Sequence, residues 1–63
     1  MKHTYRARNR QELISIFNEH HRPIEVKSSV GSYIPYDTDS ENDIFDEAMF
    51  MFCNGAKIVT VVY

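Results

Sequence analysis

Residues 40–63 read SENDIFDEAMFMFCNGAKIVTVVY, and this stretch decides the fold. Ser40 can cap a helix, with Asp43 three residues on as a short form of the capping box. Glu41, Asp43, Asp46 and Glu47 crowd the first turns, where the helix dipole favours negative charge. Ile44, Phe45, Ala48, Met49, Met51 and Phe52 recur at helical spacing and define an apolar face. Asn54-Gly55 ends the helix, Gly55 being suited to the left-handed position. The β-branched run after it predicts a strand over residues 56–63. Ile58 and Val62 point to one side of that strand, and Val59, Val61 and Tyr63 to the other. A strand apolar on both sides needs cover on both.

Upstream, residues 3–7 alternate, with His3, Tyr5 and Ala7 opposite Thr4 and Arg6, as in a half-buried strand. Asn9 and Glu12 form a capping box for a first helix, whose apolar stripe is Leu13, Ile14, Ile16 and Phe17. Pro23 stops that helix. Residues 24–28 alternate as a second strand, and residues 29–32, with Gly31, read as a turn. Residues 33–36 are expected to form a third strand, confined by Pro35 to an edge or a strand end. An acidic loop follows, over residues 37–42.

The predicted order is strand, helix, strand, strand, helix, strand. It is similar to the ferredoxin-like split βαβ arrangement, an α+β sandwich with two helices on one face of a four-stranded antiparallel sheet. The last strand is an edge in that arrangement. An edge apolar on both faces implies either a second chain covering it or a different topology. The alternative layout is α-β-β-α-β, with residues 24–36 as one bent strand or a loose hairpin.

Sixty-three residues fit one small domain, residues 1–63. A chain of this length buries only about 60% of its unfolded surface, so its stability margin is narrow. The single cysteine allows no internal disulfide and fits a reducing, cytoplasmic setting. No apolar run is long enough to span a membrane, and residues 1–6 lack a signal-peptide core. Charge is uneven. Residues 1–27 hold six Lys/Arg and three acids, while residues 28–63 hold one Lys and six acids. The plain reading is that the two halves attract each other in the fold.

Catalytic patterns are missing, and a non-enzyme without cofactors is expected. His3, His20, His21 and Cys53 have no metal-ligand spacing. His20 and His21 suit a helix C-terminus, where imidazolium complements the dipole. Asp37, Asp39, Glu41 and Asp43 resemble the opening of an EF-hand calcium loop. The sixth position, however, is Asn42 instead of glycine, and the twelfth is Ala48 where a bidentate glutamate is needed. Cys53 lies near a helix C-terminus, which disfavours a thiolate. So small a core also leaves little room for a substrate pocket of about 300 Å³.

Two binding roles remain. The first is a protein-binding module that acts on a host protein or on itself as a homodimer, in the manner of the small inhibitors and adaptors of phages and mobile elements. Its expected contact residues are Phe50, set among acids on the polar side of the second helix, with Tyr33 and Tyr36 around Ile34. Val59, Val61 and Tyr63 of the last strand complete the set. The second role is nucleic-acid binding through a basic strip of Lys2, Arg6, Arg8 and Arg10 with Tyr5. This strip resembles RNA-binding sheets but lacks the signature of the RNA-recognition motif. The acidic second half disfavours it.

Overall fold

The computed structural model describes residues 2–63. Its elements run β1 (Thr4–Ala7), α1 (Arg10–His20), β2 (Glu25–Ser28), β3 (Gly31–Tyr33), α2 (Glu41–Cys53) and β4 (Val59–Val62). The class and the element order are those expected: two helices and a four-stranded antiparallel sheet.

Both helices start where the caps predict. The Asn9 side chain accepts from the Glu12 N–H (2.9 Å), and the Ser40 hydroxyl accepts from the Asp43 N–H (3.1 Å). The Glu12 carboxylate reaches back one residue further than a capping box requires, accepting from the Arg8 N–H at 2.8 Å. Gly55 closes α2 with φ +100°, a conformation that costs glycine little.

Strand order is the main correction. The sheet runs β1-β4-β2-β3, so β4 lies between β1 and β2 and pairs with both. This differs from the ferredoxin-like arrangement, which leaves the last strand at an edge. A central place satisfies both backbone edges of β4 without a second chain. Val59 and Val61 on one face are buried under the helices, whereas Ile58 on the other face stays 43% exposed. The sheet's free edges belong to β1 and β3.

The third strand also sits earlier than expected. The Ser28 hydroxyl accepts from the Val30 N–H (3.2 Å), and a two-residue turn at residues 29–30 starts β3 at Gly31. Pro35 falls outside the sheet, where its lack of an N–H costs nothing. The hairpin β2–β3 is tight, neither one bent strand nor a loose turn.

Side chains alternate across the sheet. Ala7, Val26, Val59 and Val61 face the helices and join Leu13 and Phe17 of α1 and Ile44, Ala48 and Met51 of α2 in one core. Arg6, Lys27 and Thr60 occupy the intervening positions and face away from the helices. The helices thus cover one face of the sheet and leave the other bare. No described helix is long and apolar enough to cross a membrane.

Candidate functional site

The candidate site is the loop between β3 and α2, together with the flank of α2 beside it. Arg22, in the connection between α1 and β2, donates from its guanidinium to the carbonyl oxygens of Tyr36 and Asp39. The Asp39 carboxylate accepts from the Tyr33 hydroxyl and from the Tyr36 N–H, the latter at 3.0 Å. Four charge-assisted contacts of this kind hold a short loop in one shape. The loop displays Ile34 and Tyr36, which are 67% and 75% exposed.

Phe50 is 62% exposed on α2, as its position among acids predicts. Asp43 and Glu47, seven and three residues before it, share its flank. Both add to the raising of the Tyr33 phenol pKa.

Titration of the brace follows from its geometry. The Tyr33 phenol is pushed up to about 12, first by its hydrogen bond to Asp39 and then by burial and the nearby acids. The Asp39 carboxyl is held below the ordinary carboxylate value by the Tyr33 hydroxyl first, then by the Tyr36 N–H, with Arg22 assisting against the opposing effect of burial. The lowered Asp39 pKa contributes stability that is present above the ordinary carboxylate range and is lost as pH falls through the folded value. The raised Tyr33 pKa contributes stability that is present below about 10 and is lost as pH climbs toward about 12. Tyr33→Phe should therefore move the Asp39 pKa up toward its ordinary value in a carboxyl NMR titration. It should also bring acid unfolding on at higher pH. An unmoved Asp39 titration would show that the phenol does not hold it.

The other expected contact residues stand differently. Val59 and Val61 are fully buried. They serve the core and offer nothing to a partner, because β4 is a central strand. Tyr63 is half-buried, donates its hydroxyl to the His21 carbonyl (3.1 Å), and pairs through its backbone with His3 at 2.8 and 3.0 Å. Tyr33 is half-buried and occupied by Asp39. Of the six residues, Phe50 and Tyr36 are the exposed ones.

The basic strip is divided as well. The Tyr5 ring stacks on His20 with centroids 4.3 Å apart and meets Tyr63 edge-on, which removes it from base stacking. Arg6 faces the bare side of the sheet. Arg10 opens α1 and donates to the Cys53 sulfur at 3.5 Å. Lys2 and Arg8 are exposed on either side of β1.

The two charged halves meet at the Arg22 brace and at His21–Glu41. The ion pairs among the described residues are His20–Glu19 at 3.7 Å and His21–Glu41 at 3.4 Å, and no described Lys or Arg lies within 4.0 Å of a carboxylate. No group of three His, Cys, Asp or Glu among the described residues could hold a metal ion.

Sequence reading missed Arg22 and Asp39 as the loop's fasteners. Arg22 binds carbonyl oxygens, which any residue supplies, so no motif announces it. Asp39 lay inside the run compared with a calcium loop, and its real partners are a phenol and a backbone N–H. No protein-family profile, no curated protein and no solved structure matches the chain.

Proposed function

We propose that the chain is a non-catalytic protein-binding module whose contact surface is Ile34, Tyr36 and Phe50. One observation carries this reading: the three most exposed large apolar side chains are Ile34 and Tyr36 on the pinned loop and Phe50 on the acidic flank of α2. A loop already fixed loses little conformational entropy on binding, and aromatic residues are favoured as interface anchors. The acids around Phe50 supply the polar rim that such anchors usually have.

In this reading the module works as a small inhibitor or adaptor of the kind mobile elements encode, in a cytoplasmic setting. Its partner is another protein, or a second copy that uses the same surface. Self-association through β4 is not part of the proposal, since that strand has no free edge.

The test is quantitative capture from a lysate of the native host, followed by calorimetry with the purified partner. Phe50→Ser and Tyr36→Ser should each weaken binding by about 30-fold, the effect of removing a ~2 kcal/mol anchor. Arg6→Glu, on the opposite face, should leave affinity unchanged. Both anchor variants should keep their unfolding free energy within about 0.5 kcal/mol, as exposed substitutions do. Light scattering across a concentration series decides whether the partner is a second copy. Equal capture by wild type and both variants would end the proposal, and so would unfolding of Phe50→Ser, which would place Phe50 in the core.

A further inference from the structure

The bare face of the sheet carries a second feature, independent of the protein-binding surface. Thr60 in β4 lies opposite Arg6 of β1 on one side and Lys27 of β2 on the other. Adjacent strands are about 4.8 Å apart, so the α-carbons of Arg6 and Lys27 sit roughly 10 Å apart across Thr60. Lys57 and Ile58, leading into β4, and Ser28 and Ser29, leaving β2, join this row around a shallow depression of about 620 Å³. Room for a ligand thus exists outside the core, where the size argument does not apply.

The three cations are exposed, and none has a carboxylate within 4.0 Å. No acid lines the depression. Along the same face Glu25 lies two residues before Lys27 and opposite Val62, and Glu12 of α1 lines a neighbouring depression with Arg6. Ser29 and Thr60 add hydroxyl donors, whereas the Ser28 hydroxyl is engaged by its own turn.

We infer that this depression binds the phosphate backbone of a nucleic-acid duplex. Lysine, arginine and small hydroxyl side chains are the usual phosphate contacts. No aromatic ring lines the depression, and Tyr5 is locked against His20 on the other side of the sheet, so the bases of a single strand would find nothing to stack on. An acidic polypeptide is less well matched, because only one of the three cations is an arginine able to grip a carboxylate with two parallel bonds.

The acidic half of the chain is a weaker obstacle than composition implies. Asp43, Asp46 and Glu47 belong to α2, which packs against the other face of the sheet. At physiological salt, where the Debye length is ~8 Å, their repulsion of a phosphate held on the opposite face is weakened.

The test is fluorescence anisotropy of a labelled random-sequence duplex, titrated with the whole chain between about 25 mM and about 200 mM salt. Three phosphate contacts predict a slope of log affinity against log salt of about −2.7, and Lys27→Ala or Lys57→Ala should each reduce it by about 0.9. Lys27→Glu should weaken binding at least tenfold while its melting curve stays that of the wild type. Arg10→Glu, at the head of α1, should change affinity less than twofold. Single-stranded DNA and polyglutamate should bind more weakly than duplex at every salt concentration. The inference is overturned by no anisotropy change at the lowest salt, by a larger effect of Arg10→Glu than of Lys27→Glu, or by equal or tighter binding of single strands or polyglutamate.

Discussion

Val61→Lys is expected to abolish the folded state, leaving no cooperative thermal transition in the circular-dichroism signal. Val61 is fully buried in the central strand, paired with Tyr5 of β1 and Val26 of β2. The substitution forfeits about 1.5–3 kcal/mol of apolar burial. It also places an ammonium in the core with no partner, at an effective cost of several kcal/mol. Folded chains hold roughly 0.05–0.15 kcal/mol per residue, which for this length is about 3–9 kcal/mol in total. The loss is of the same size as that whole margin. Thr60→Lys is the matched control, because Thr60 points to the bare face and its lysine can reach water. It should keep a cooperative transition close to that of the wild type. A folded Val61→Lys chain would contradict the central position of β4.

Leu13→Ala is the second large effect. Leu13 is the largest of the fully buried side chains, on α1 where the helix meets the sheet. Truncation removes its burial and leaves a cavity, at a cost of about 2–5 kcal/mol. For a domain of this size each kcal/mol lowers Tm by about 4–8 °C, so the midpoint should fall by roughly 10–40 °C. The next residue supplies the comparison. Ile14 is 40% exposed, and Ile14→Ala should cost well under half as much. Similar losses at the two positions would mean that α1 is rotated about its axis from the orientation described here.

These two outcomes depend on features that were unequally legible in the sequence. Periodicity and caps marked both helices, because Asn9 and Ser40 act through bonds only three residues long. The faces of β4 were readable from alternation alone, and Val61 was correctly paired with Val59 and Tyr63 on one side. Strand order was not readable. Alternation tells which way a side chain points but not which strand lies beside it. The two-sided apolar run of β4 held no clue to it, since apolar faces report what lies above and below a strand and not which strands flank it.

The same gap hid both surface features. Arg6, Lys27 and Lys57 are scattered along the chain and converge only because β4 enters between β1 and β2. The Arg22 brace depends on the path of a loop, and no periodic pattern encodes a path. Phe50, in contrast, was visible as a large aromatic on a polar helix face, and Tyr36 as part of an aromatic segment with Tyr33 and Ile34; both are exposed.

The position of β4 also constrains how the chain can reach its native state. Thr4 and Val62 are partners in the β1–β4 ladder, so β1 acquires its neighbour through a pairing of high sequence separation. A fragment ending before Val59 would hold a solitary β1 and a detached β2–β3 hairpin, neither stable in water. Closing a loop of nearly the whole chain carries an entropic cost of roughly 3–4 kcal/mol, incurred before the central ladders repay it. Assembly should consequently be all-or-none and slow for so few residues, with a rate set by the meeting of the two ends.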